Sequence, residues 1–187
     1  MTGSKPRTLL PARWQQAVES AVWPVLPLSM LTTTPTTFRA PREDEWPCIA
    51  AWAMAEGWLG RQKGVPLDEV EFAAILALPG HHNHCLADAQ GVAAAFGQVW
   101  IDSSGGVNLV RIVVDPARRR KGLGRELSRL LLREALRHAQ GGPVRLRVRR
   151  DNTGAIAVYR ALGFRENDAA SNVVALAMVY DPAAPRP

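Results

Sequence analysis

Between Val114 and Glu126 the chain carries the residues best able to bind an anion. Gly122 and Gly124 stand one residue apart behind four consecutive cations, Arg118, Arg119, Arg120 and Lys121. The apolar run Val107–Val114 ahead of them reads as a buried strand, and the leucine-rich segment Leu123–Ala139 behind them repeats its apolar residues at helical spacing. A strand feeding a glycine-rich, basic helix start offers unpaired backbone N–H groups and the positive end of a helix dipole. It also has no Cβ to hold a phosphate off the main chain. The chemistry expected here is recognition of a phosphate-bearing ligand.

A second group follows thirty residues after Gly122: Asn152, Ala155, Tyr159, Gly163 and Phe164. Asn152 and Tyr159 are seven residues apart, which puts them two turns apart near one face of a helix. A tyrosine hydroxyl so placed can act as a general acid; the alternative is a core tyrosine packed on the sheet. Other groupings point to less. His82 and His84 would share one face of a strand beside Cys85, but no second ligand pair recurs at metal-site spacing, so no metal is expected. Cys85 as an acyl-enzyme nucleophile lacks a base and an orienting group. A dinucleotide fingerprint is incomplete because Leu127 stands at the third glycine position, and no P-loop pattern occurs. Arg125, Arg129, Arg133 and Arg137 form a ridge, with Glu126 and Glu134 three residues before two of them. That arrangement favours a solvated, ion-paired face. Without interleaved stacking aromatics, nucleic acid as a partner is disfavoured.

These residues need a frame, and the chain is long enough for one well-filled core. Its 187 residues are 47% apolar and 21% charged, ordinary values for a globular protein. No apolar run approaches the about 20 residues that span a bilayer, so no membrane partner is expected. Lys5, Arg7 and Arg13 precede the run Ala21–Leu31, but Pro24 and Pro27 interrupt it, against a cleavable leader. Cys48 and Cys85 are the only cysteines and suit a reducing cytoplasm. The net charge of +6 is uneven: Arg111 to Arg160 holds 14 basic against 4 acidic residues, so the positive field belongs to the half with the glycine loop.

Residues 1–35, with five prolines, read as a Pro/Thr-rich appendage containing one short helix over Ala12–Val22. Residues 36–182 read as the main domain and 183–187 as a tail. The domain should open with a strand at Thr37–Ala40, a helix carrying Trp46, Ile49, Ala50 and Ala53, and a second helix from Leu67 to Leu78. Strands His82–Ala87 and Val92–Ile101 follow, joined by a hairpin turn, then Val107–Val114. After the glycine-loop helix, Val144–Arg149 alternates apolar and arginine residues. Asp151 or Asn152 caps a helix ending near Leu162, Gly163 stops it, and Val173–Tyr180 is the last strand. The expected class is α+β, an α/β sandwich: a mostly antiparallel sheet of six or seven strands, helices on both faces, and a central strand–helix–strand unit.

The ordered set, Val114–Pro116, then R-x-x-G-x-G at Arg119–Gly124, then N-x-x-A-x-x-x-Y at Asn152–Tyr159 and Gly163-Phe164, resembles the GNAT superfamily of acyl-CoA-dependent N-acyltransferases. The resemblance covers about Thr37 to Pro182. It implies a cytoplasmic, bacterial-type N-acetyltransferase that uses acetyl-CoA as acyl donor, without a metal, on an amine-bearing small-molecule or peptide acceptor. It also leaves a homodimer as a candidate assembly. It implies that the fourth strand bulges and splays from the fifth. Backbone groups of Ile112, Val113 and Val114 would then meet the pantetheine, and Arg119, Arg120, Lys121, Gly122, Leu123, Gly124 and Arg125 would wrap the pyrophosphate. Asn152 would meet the pantetheine arm or cap its own helix, and Tyr159 would protonate the departing thiolate. Direct attack by the amine in a ternary complex needs a base. Family members acting on ribosomal-protein N-termini carry a glutamate on the fifth strand where this chain has Arg147, a departure that argues against that substrate class or at least against that base. Glu56, Asp102, His84 or water remain as bases. Trp58 is a candidate for the acceptor wall. The competing reading is a catalytically silent GNAT-like module that binds CoA or nucleic acid.

Overall fold

A computed structural model describes residues 36–55, 74 and 76–183. The expected appendage, most of the helix over Leu67–Leu78, Glu56 and Trp58 lie outside the described residues. Within them the elements are β1 (Thr37–Arg39), α1 (Trp46–Ala55), β2 (His81–Ala87), β3 (Ala93–Ile101), β4 (Val107–Val114), α2 (Leu123–Ala139), β5 (Val144–Arg149), α3 (Thr153–Ala161), β6 (Arg165–Glu166) and β7 (Ala175–Tyr180). They form a seven-stranded sheet in the order β1-β2-β3-β4-β5-β7-β6. The fold is an α+β sandwich in which only the β4–β5 pairing is parallel.

Alternation along the strands decides which face each helix covers. Val107, Leu109, Val144, Leu146 and Val148 point to one face and join Leu127, Leu130 and Leu131 of α2 with Ile156 and Tyr159 of α3 in the larger core. Cys85, Ala93, Phe96 and Val113 point to the other face and pack with Ile49, Trp52 and Ala53 of α1. Trp46 meets Phe96 edge-on, so both tryptophans of α1 serve the core.

A buried carboxylate ties the start of the domain to the sheet. The residues ahead of α1 form a 3₁₀ turn, Glu43–Glu45, whose last residue faces inward. Glu45 accepts hydrogen bonds from both Arg39 guanidinium nitrogens, at 2.8 and 2.6 Å, and from the backbone N–H groups of Arg42 and Ala93. These partners hold its pKa down to about 2.

Two features shape the middle of the sheet. The β3–β4 register slips between Phe96 and Gln98, and Arg111, opposite that slip, has φ 53°. A bulge of this kind bends its strand. Gly97 makes room for it, since a Cβ there would lie 2.6 Å from Leu131 Cδ1 and 3.2 Å from Ile112 Cγ1. The parallel ladder then ends early: Val107, Asn108 and Leu109 pair with Val144, Arg145 and Leu146, and no pair follows. Beyond Leu109 the β5-facing edge of β4 is therefore open.

The remaining differences from the sequence reading are small. β6 was not expected, and β7 begins at Ala175 because Asn172 accepts hydrogen bonds from the N–H groups of Val174 and Ala175, making a turn of the preceding residues. Gln140, at φ 47°, ends α2 ahead of the Gly141-Gly142 pair.

Candidate active site

The open edge of β4 forms one wall of a cavity of about 460 Å³. Ile112, Val113 and Val114 line it with Arg119, Arg120, Gly122, Leu123, Gly124, Arg125, Asn152 and Tyr159, so eleven of the twelve residues proposed from sequence meet in one place. Lys121 is exposed and is not on the wall. On their other edge Val113 and Val114 pair with Phe96 and Ala95 of β3, which leaves only the β5-facing side for a ligand.

The helix start is built as its sequence demands. Asp115 caps the short 3₁₀ turn Pro116–Arg118 by accepting from Ala117 N–H, and Arg118 closes it through ion pairs to Asp88 and Asp115. The chain then takes positive φ at Arg120 (61°) and Gly122 (79°), the residue preceding α2. Glu126 N–H is the donor that reaches the Gly122 carbonyl, so the amides before it form the usual unpaired first turn. Nothing lies within 4 Å of a Cβ placed on Gly122; its glycine answers to φ rather than to space. Gly124 is the reverse case. It sits in ordinary helix, where a Cβ would make only a 3.4 Å contact with Val114.

At the opposite wall Asn152 Oδ1 accepts from Ala155 N–H at 3.1 Å and caps α3, leaving the side-chain amide N–H groups for a ligand. Tyr159 is 7% exposed and packs edge-on against Phe164. Burial pushes its pKa up to about 12, against a smaller opposing effect of a hydrogen bond with Ser128. Ser128 is buried, lines the cavity and donates to the Gly124 carbonyl at 2.7 Å. Sequence reasoning missed Ser128, Gly154, Ala155 and Val158. The signal lay in helical spacing: Ser128 is four residues after Gly124, Ala155 four before Tyr159 and Val158 four after Gly154, each pair on one helix face.

The sequence-derived bases fare differently. Asp102 Oδ1 accepts from Ser104 N–H, Ser104 Oγ and Gly106 N–H, and Oδ2 from Asn108 Nδ2; these bonds hold its pKa at about 2 and make it a turn-former in the β3–β4 hairpin. His84 stacks on Phe38 with ring centroids 4.7 Å apart, on the α2 side of the sheet, and burial lowers its pKa. Neither lines the cavity. Cys85 is fully buried and its thiol is pushed up to about 11, so it holds no thiolate for an acyl-enzyme. Among the described residues no group of three His, Cys, Asp or Glu side chains could hold a metal, and no helix is long and apolar enough to cross a membrane.

Residues 40–164 match the sequence model of the acetyltransferase (GNAT) family. The chain belongs to the GNAT family. It is also similar to the N-alpha-acetyltransferase RimI of Mycobacterium tuberculosis, with 52% identity over 54 residues, 29% of this chain and 32% of that protein. The match thus spans about a third of that relative. Among solved structures, the ribosomal-protein-S18-alanine N-acetyltransferase of Escherichia coli superposes with a TM-score of 0.56 at 26% identity, covering 78% of this chain and 91% of the other. The spermidine N-acetyltransferase of Vibrio cholerae, solved with CoA and spermine, shares the fold with a TM-score of 0.64 at 16% identity, covering 78% and 94%.

Proposed function

We propose that this GNAT protein transfers an acetyl group from acetyl-CoA to the α-amine of a peptide or protein N-terminus. The observation that carries the reading is the cavity, whose walls suit the parts of an acyl-CoA in order. The first turn of α2 offers amide donors and arginines to a pyrophosphate. The open edge of β4 offers backbone groups to the pantetheine amides, and Asn152 adds a side-chain amide. Gly124 supports the fit, because the space a Cβ would fill lies on the cavity wall. The α-amine is favoured over other amines by the 54-residue stretch that is 52% identical to part of an N-alpha-acetyltransferase.

When bound, acetyl-CoA supplies an activated thioester carbonyl. The nitrogen lone pair forms the N–C bond, the C–S electron pair leaves with sulfur, and the proton shed by nitrogen is balanced by one gained at sulfur. Tyr159, on the cavity wall, would serve the sulfur. With a pKa near 12 against about 8.5 for an ordinary thiol, its hydroxyl stays protonated at neutral pH and remains a donor to the departing thiolate. The donor fills the α2–α3 side, so the acceptor approaches across the gap between β4 and β5. An α-amine, with a pKa near 7.7–8.0, is about one-third neutral at pH 7.5, and water suffices to take its proton.

The test is release of CoA thiol, with the mass of the peptide product, across peptides, polyamines, aminoglycosides and free amino acids. Peptide-dependent release with a gain of about 42 Da on the N-terminal residue, one acetyl in place of one hydrogen, is expected. Release driven only by polyamines would replace the acceptor class. Binding of CoA with no release across the panel would favour a silent module.

A further inference from the structure

We propose that the acceptor peptide carries acidic residues beside its reacting α-amine, and that Arg111 of β4 and Arg147 of β5 receive their carboxylates. This rests on the peptide-acetyltransferase reading and names the substrate class of the same site. The two arginines belong to the strands that bound the gap, on the face turned away from α2. Val110 pairs with Gln98, and Arg111 Nη1 donates to Gln98 Oε1 at 2.6 Å, which sets the Arg111 side chain on that face. Arg147 lies one residue beyond the last β4–β5 pair and alternates with Leu146 and Val148, which enter the core under α2 and α3. The two arginines therefore flank the gap on the face from which the acceptor enters, Arg111 turned towards Gln98 of β3 and Arg147 towards Ala170.

Arg111 is held where a cation gains little from the protein itself. Its backbone is in the left-handed region at φ 53°, unfavourable for a side chain of this kind, and such strain collects at ligand sites. The partner that orients it is neutral. Gln98 is fully buried and gives its Nε2 to Asn83 Oδ1 at 2.6 Å, while Asn83 donates to the Leu76 carbonyl at 3.2 Å. Burial disfavours the charge of Arg111, and among the described residues no carboxylate offsets that cost. Arg147 is exposed, and its Nη2 donates to the Ala170 carbonyl at 2.9 Å, which fixes it between β5 and the turn before β7. Among the described residues it too forms no ion pair. Arg145 and Arg149, next along β5, add to the positive potential, although Arg149 is paired with Asp151. Planar guanidinium forks suit carboxylates, and a desolvated, pre-oriented one gains most from them.

The test uses the full chain saturated with CoA and C-terminally labelled peptides with free N-termini, identical except for Glu-Asp, Gln-Asn or Lys-Arg after the first alanine. Fluorescence anisotropy should show the acidic peptide binding at least about tenfold more tightly than the neutral one, with the basic one weakest and the advantage fading in salt. In Arg111→Met and Arg147→Gln the acidic-to-neutral ratio should fall towards one. A CoA-induced melting shift shows that each variant is folded; Arg147→Gln, altered at an exposed position, carries the test if Arg111→Met does not fold. Equal binding of the three peptides, or an acidic preference that survives both substitutions, overturns the proposal. Acidic preference without acetylation would uphold the site and refute the transferase; acetylation without preference would do the opposite.

Discussion

Gly124→Ala separates a glycine kept for folding from one kept for a ligand. Gly124 is the second residue of α2, and a methyl there would meet only Val114 Cγ2, at an ordinary 3.4 Å. Helix propensity favours alanine over glycine by about 0.8–1.0 kcal/mol in a helix interior, and somewhat less in a first turn. For a domain of this size about 1 kcal/mol moves Tm by roughly 2–4 °C, so the variant should melt up to a few degrees higher. The same methyl stands on the cavity wall beside the unpaired amides. Keeping a pyrophosphate off those donors should weaken acetyl-CoA by about tenfold or more, the equivalent of one charge-assisted hydrogen bond. Calorimetric titration gives the affinity, and scanning calorimetry of the free protein gives Tm. A lower Tm in the free protein would show that the glycine serves packing. Unchanged affinity would show that the phosphates bind elsewhere.

Tyr159→Phe removes one hydroxyl from a buried ring and should lower kcat by about 10²–10⁴-fold while leaving the Kd of acetyl-CoA within a few-fold, as single-turnover and titration measurements can separate. In the wild-type enzyme kcat/KM for a peptide should rise with pH through about 8, following the α-amine, reach a plateau near pH 9 and hold to pH 10. Tyr159, with a pKa near 12, keeps its proton throughout that range, so an alkaline fall below pH 10 would count against it as the donor. Glu45 predicts acid sensitivity. Its folded pKa of about 2 lies below the 4.5 of the free side chain, so its contribution is full above pH 4.5 and fades as pH falls through 2. That difference corresponds to about 3 kcal/mol, and Glu45→Gln should flatten the dependence of Tm on pH between 5 and 2.

Much of the frame was legible because its signals are local. The alternation in Val144–Arg149 and the periodic leucines of Leu123–Ala139 gave both elements at their observed bounds. Asn152 capped its helix as its side-chain oxygen allows. The cavity residues were legible through their order along the chain rather than through any one of them. Ser128 was missed because its spacing of four from Gly124 gains meaning only once the turn that faces the ligand is known. Asp102 and His84 misled for the complementary reason: ionisable residues suggest chemistry, and only tertiary placement shows one tying a hairpin and the other stacked on Phe38. The Arg111 network was out of reach, since it depends on a bulge that no residue pattern in β4 announces.

The most direct measurement is calorimetric titration of the purified full chain with acetyl-CoA, repeated with Gly124→Ala. One saturable site per chain, weakened in the variant, is the expected result. No binding, or binding that Gly124→Ala leaves unchanged, would contradict an acyl-CoA site at the start of α2.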